Sequence, residues 1–301
     1  MVFPKSKRAG TGAHSPCHVP PFSRRAGNPV SSRPSSWKAD LALAGITLIW
    51  GATFVVVKNA LSGVSTMLFL TLRFSAAALV LAALYRGRLN SNARGHKSAL
   101  RGGMLAGLVL IAAYFFQTQG LRFTTPSKSA FITGLSVALV PILGAAWRRR
   151  MPRLQEIGGV TAAVLGLALM TVRWQELRIG PGDLLTMACA VGFAVHILVV
   201  ERYTRSGGFE ILSLVQIATA AVVGAATCWW VETPHLEWSA QLAGALAITS
   251  LLATALAFTV MAWAQQHTTA THTALIFSLE PVFAWLTSWM VEGETLSTTA
   301  S

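Results

Sequence analysis

Charge is scarce in this chain. Only 12% of its 301 residues are Asp, Glu, Lys or Arg, where a soluble domain carries about 25%. Acid is scarcer still, with 11 acidic residues against 24 basic ones. Together with 53% hydrophobic residues and a mean hydropathy of +0.55, this excludes a soluble domain and points to an all-α polytopic membrane protein. The apolar segments are continuous rather than alternating, which speaks against a β-barrel. Cysteine is nearly absent: Cys17, Cys189 and Cys228 have neither metal spacing nor a clear disulfide logic. His14 and His18 flank Cys17, but in no zinc-site spacing, so no metal is expected. Phosphate-loop, HExxH and GxSxG motifs are missing. No ATPase, no common hydrolase and no cofactor is therefore expected, and the chain reads as a non-enzyme.

The net charge of +13 invites a nucleic-acid reading. The basic residues cluster at the ends of apolar segments instead, which is a topology signal. No nucleic-acid partner is expected. Residues 1–38 are rich in Pro, Ser, Gly and Arg and read as a disordered basic cytoplasmic tail. No apolar run near the start suggests a cleaved signal peptide.

Nine apolar segments follow: 39–58, 66–85, 102–121, 128–147, 156–173, 183–201, 210–231, 241–263 and 271–291. The tail and the loops after the second, fourth and sixth segments hold 18 Lys and Arg; the intervening loops hold 5. The bias puts the N-terminus and those loops in the cytoplasm; the plasma (inner) membrane is the expected location.

Thr124–Ile142 (TTPSKSAFITGLSVALVPI) lines up with Thr268–Leu286 (TTATHTALIFSLEPVFAWL) at an offset of about 144. Ala130 meets Ala274, Ile132 meets Ile276 and Leu135 meets Leu279. Each repeat would hold five helices, an odd number, so the second must be inverted in the membrane, as in many secondary transporters. The first repeat is placed at 39–173 and the second at 183–301. The second then has four helices, with the tenth missing, as if truncated.

Polar residues inside apolar segments are the site candidates. Glu280 lies near the middle of the last segment, with Pro281 beside it. A mid-membrane carboxylate costs on the order of 3 kcal/mol on insertion scales, so it needs a reason to be there. The proline removes a helical donor; Pro141, inside the fourth segment, is the other helix-kink candidate. Burial disfavours the charged form of a carboxyl group, which suits proton coupling or an amine contact. A structural ion pair or a kink cap is the plainer reading of Glu280. Arg73 is placed to pair with Glu280, to hold an anionic group, or to snorkel outward. His196 is either a helix-to-helix hydrogen-bonding group or a proton relay. Gln117, Gln216 and Thr254 either glue helices or line a cavity. Trp50, next to Gly51, is a stacking plate or a packing group. Lys58 and Lys128 read as snorkelling residues. The stripes Gly103/Gly107 and Gly158/Ala162/Gly166 read as helix-packing seams.

LIWGATFVVVKNAL, LRFSAAALVLAAL and TALAFTVMAWAQQHTTATHTALIFSLEPVFAWLTSWMVEGETLS resemble the start and the end of EamA-type proteins of the drug/metabolite transporter superfamily. The matching parts are Trp50-Gly51, Leu72-Arg73-Phe74, Leu279-Glu280-Pro281-Val282 and Gly293-Glu294, over about residues 40–300. The resemblance implies ten helices in two inverted repeats. It also implies export or exchange of small solutes such as amino acids, often with ion coupling. The expected partners are a small-molecule solute and the lipid bilayer; homodimerisation stays open. The alternatives are a truncated, non-transporting product and an intramembrane enzyme or sensor. The enzyme lacks support, because no second intramembrane carboxylate accompanies Glu280.

Overall fold

The computed structural model describes residues 36–89, 96–149, 154–171, 180–205 and 208–292. The expected tail lies outside them except for its last three residues, as do the His14–Cys17–His18 cluster and the segment after Glu292. Twelve α-helices are described: α1 Trp37–Ala60, α2 Thr66–Leu89, α3 His96–Leu121, α4 Pro126–Gly134, α5 Ser136–Arg148, α6 Leu154–Thr171, α7 Pro181–Thr204, α8 Phe209–Val231, α9 Ala240–Ser250, α10 Ala257–Ala264, α11 Ala270–Phe277 and α12 Glu280–Glu292. A π-helical segment, Leu251–Leu256, joins α9 to α10. Eight spans among them are long and apolar enough to cross a bilayer. The segment expected at 156–173 is α6, whose apolar stretch is the shorter Ile157–Gly166.

Three of the eight spans are interrupted: α4–α5, α9–α10 and α11–α12. The last break falls at Ser278–Leu279, directly before Pro281. Without an N–H, Pro281 cannot bond to Phe277, four residues back, but it is well placed in the first turn of α12. The α4–α5 break lies at Leu135; Pro141 sits six residues beyond it, inside α5. Threonines start both broken spans alike. Thr125 Oγ1 accepts from the Lys128 N–H at 3.2 Å, and Thr269 Oγ1 accepts from the His272 N–H at 3.2 Å. These caps are 144 residues apart, as are the bounds of α1 and α7.

Cross-links between helix ends give the direction of each span. At the end where α1 begins, called here the near end, Asp40 meets His272 at 3.0 Å, and Glu201 pairs with Arg148. Gln266 there donates to the Thr204 carbonyl at 3.1 Å. At the far end, Lys58 Nζ donates to the carbonyls of Leu121 (2.6 Å), Arg122 (3.1 Å) and Thr124 (3.0 Å). Glu232 accepts from the N–H groups of Met67 (2.6 Å) and Leu68 (3.0 Å), and Lys128 pairs with Asp183 at 2.7 Å. So α1 ends where α7 starts, and α2 starts where α8 ends. Each described span of the second half runs opposite to its partner 144 residues earlier.

The snorkelling expected of Lys58 is corrected here. Its ammonium turns inward to carbonyls at the C-terminus of α3, which have no intrahelical donors. Arg122 works in the same corner, donating to Leu61 O, Val64 O and Thr66 Oγ1. Burial pulls its guanidinium below the ordinary value, and the Glu232 carboxylate opposes that shift.

Small residues set the helix spacing. A Cβ on Gly107 would come within 2.4 Å of Gln216 O and 2.6 Å of Thr219 Cβ. The Gly103/Gly107 stripe is thus a packing seam between α3 and α8. The α6 stripe is different: nothing lies within 4 Å of a Cβ at Gly158 or Gly166. Exposed Trp229, Trp230, Trp238 and Trp289 mark the far end, and exposed Trp37 and Trp147 the near end. Aromatic girdles at two levels are what a bilayer's interfaces favour.

Candidate functional site

Where the broken spans meet α1, α2, α3 and α7, a cavity opens, with about 700 Å³ of empty space counting the open solvent at its mouth. Glu280, Arg73, His196, Trp50 and Gln117 all line it. These residues lie up to 230 positions apart in the chain, and the fold brings all five together.

Glu280 is the first residue of α12, at the helix break. Its position depends on Gly51 of α1. A Cβ there would lie 2.8 Å from Glu280 O, 2.6 Å from Phe283 Cβ and 2.9 Å from Ala284 N. The backbones of α1 and α12 therefore touch, which only glycine allows. The Glu280 carboxylate makes no hydrogen bond or ion pair with a described residue.

Arg73 is 3% exposed, which rules out snorkelling to the interface. It does not pair with Glu280 either. Its Nε donates to Thr254 Oγ1 at 2.7 Å, and one Nη donates to Tyr114 OH at 3.2 Å and Ala253 O at 3.4 Å. The guanidinium stacks over the Tyr114 ring at 4.4 Å, a favourable cation–π distance. Its other Nη makes no hydrogen bond to a described residue.

Ala253 belongs to the π segment. Its carbonyl also accepts from Trp50 Nε1 at 2.8 Å. A π turn leaves carbonyls off the regular i−4 pattern, free for side chains. One irregular turn thus anchors both Trp50 and Arg73. The Trp50 ring meets Phe277 edge-on at 5.0 Å and Phe258 at 5.3 Å.

His196 Nε2 lies 3.0 Å from Gln216 Oε1, and its ring meets Phe258 at 5.5 Å. Gln117 Nε2 donates to Thr133 Oγ1 at 3.3 Å. Gln216 and Thr254 do not line the cavity; they sit one layer behind, holding His196 and Arg73. Sequence reasoning missed Tyr114, Phe193, Phe258, Phe277, Thr133 and Ser136, which also line it. The 144-residue offset pairs Tyr114 with Phe258 and was the one signal available for them. Among the described residues no group of three His, Cys, Asp or Glu could hold a metal ion.

The sequence profile of the EamA-like transporter family matches residues 37–172 and 180–300. The chain belongs to the EamA-like transporter family. Its resemblance to known members extends over nearly its whole length. An uncharacterized transporter of Archaeoglobus fulgidus is 32% identical over 86% of this chain and 80% of its own. The uncharacterized transporter YoaV of Bacillus subtilis is 21% identical over 84% of this chain and 88% of its own. A solved crystal structure superposes with a TM-score of 0.69 at 19% identity, covering 88% of this chain and 92% of that one; it speaks for the fold alone. EamA membership and the eight apolar spans make this a multi-pass membrane protein among membrane transporters.

Proposed function

We propose that the chain is a secondary-active transporter that exports or exchanges small metabolites such as amino acids. Access to a site between the two halves would alternate from one membrane face to the other. One observation carries this: an unpaired carboxylate, Glu280, at a helix break in a cavity shared with the Arg73 guanidinium. Broken helices with a charge at mid-membrane are a recurring way to build such sites. Glu280 binds a proton or a cationic group, and its change of charge biases one state against the other. Among the described residues no second carboxylate lines the cavity with Glu280, which favours binding over hydrolysis. The richer Lys and Arg content of the near-end loops supports a cytoplasmic near end, and the membrane proposed is the plasma (inner) membrane.

The test is transport by Glu280→Gln in reconstituted vesicles across a pH range. The titratable groups sharing the cavity are Arg73, Tyr114 and His196, and all remain in the variant. The expected result is a folded protein without pH-dependent transport. A pH profile like that of the unmodified protein would overturn the proposal.

A further inference from the structure

The cavity is lopsided about the relation between the halves. Counterparts 144 residues apart line it together at Thr53 and Ile197, Gln117 and Met261, and Ser136 and Glu280. Toward the far end the symmetry fails. Val57, Thr118 and Leu121 line the cavity, but their counterparts Glu201, Ala262 and Gln265 do not. Those three are packed away at the near end, each at most 1% exposed.

What covers them is polar and breakable. Glu201 accepts from Arg148 of α5 and, at 2.6 Å, from Arg205. Gln265 Nε2 donates to Ile197 O at 3.3 Å, while its Oε1 is buried with no partner among the described residues. An orphaned buried acceptor is costly. It becomes satisfied if water or a solute reaches it. In transporters built from inverted repeats, one repeat rocks or gates against the other about a fixed site. Surfaces hidden on one side then line the path, and those open now close.

We infer that Glu201, Ala262 and Gln265 line the solute path at the near end in the opposite state, and that the Arg148–Glu201 contact between α5 and α7 is the seal that opens it. This rests on the alternating-access reading above. Once Arg148 withdraws, Glu201 offers a carboxylate to a solute carrying an ammonium or another hydrogen-bond donor.

Thr118→Cys and Ala262→Cys test this in the full chain, in a background of Cys17→Ala, Cys189→Ala and Cys228→Ala. A membrane-impermeant maleimide is applied from each face in turn. Thr118→Cys is expected to label from one face, with Ala262→Cys protected from both. Adding Arg148→Ala is expected to raise labelling of Ala262→Cys several-fold from the opposite face and to lower that of Thr118→Cys. Arg148→Lys, which keeps the charge, restores the first pattern. Should Arg148→Ala not accumulate, Glu201→Gln removes the charge with little change of shape and carries the same expectation. Unchanged protection of Ala262→Cys when the seal is broken overturns the inference, as does labelling of both cysteines from one face. Labelling needs no transported solute, so it is read independently of the outcome for Glu280→Gln.

Discussion

Lys58 shows how a charge can be structural in a chain with so few. Its ammonium satisfies three carbonyls at and just past the end of α3, which in an apolar setting would otherwise lack donors. A hydrogen bond to a charged group contributes about 1.5–3 kcal/mol net, and bonds shared by one ammonium do not add in full. Lys58→Met is therefore expected to destabilise the protein by about 3 kcal/mol, read as a lowered midpoint of thermal unfolding in detergent. Arg73 shows the same economy at the site. Its three hydrogen bonds are internal, so Arg73→Lys, which loses the planar fork and the stacking on Tyr114, is not a conservative change. The variant is expected to weaken solute binding by at least tenfold in an equilibrium binding assay. Unchanged affinity would show that Arg73 only braces the π segment.

Among the elements, α1 and α12 come into backbone contact at the site, because Gly51 carries no Cβ. Gly51→Val must push α12 away and carry Glu280 with it. Transport is expected to fall at least as far as in Glu280→Gln, with the protein still inserted and monodisperse by size-exclusion chromatography. Gly107→Val, between α3 and α8, is expected to displace Gln216 and with it His196. Much of this arrangement was legible beforehand. The polar residues inside apolar runs marked Glu280, Arg73, His196, Trp50 and Gln117, because a membrane makes each of them conspicuous. The break before Pro281 was legible from proline chemistry. The π segment was not: LLATAL has neither proline nor glycine, and its widened turn answers to Trp50 and Arg73 on other helices. Aromatic rings such as Phe258 were equally opaque, since a ring facing lipid and a ring facing a cavity look alike in an apolar run. The inward turn of Lys58 depended on which helix end lay beside it, and no local pattern encodes that.

At the scale of the whole molecule, opposed halves put like residues on opposite faces of the membrane, while lysine and arginine break the equivalence. The near end collects Arg101, Arg148, Arg149, Arg202 and Arg205. At the far end, Lys58 and Arg122 are tied to backbone carbonyls and Lys128 to a carboxylate. A cysteine introduced at exposed Asn59, in a background without the native cysteines, is expected to react with impermeant reagents from outside intact cells. Reaction only after lysis would reverse the orientation. The separation of Arg73 from Glu280 has a further, electrical consequence. Counting these two groups alone, the cavity is neutral while Glu280 is ionised and carries one positive charge once it is protonated. Under the coupling proposed above, the empty carrier would turn over indifferent to voltage, and the proton-bearing step would feel it, by up to about 2.3 kcal/mol per 100 mV for a full crossing. A potassium diffusion potential would then change the rate of one half of the cycle and leave the other alone.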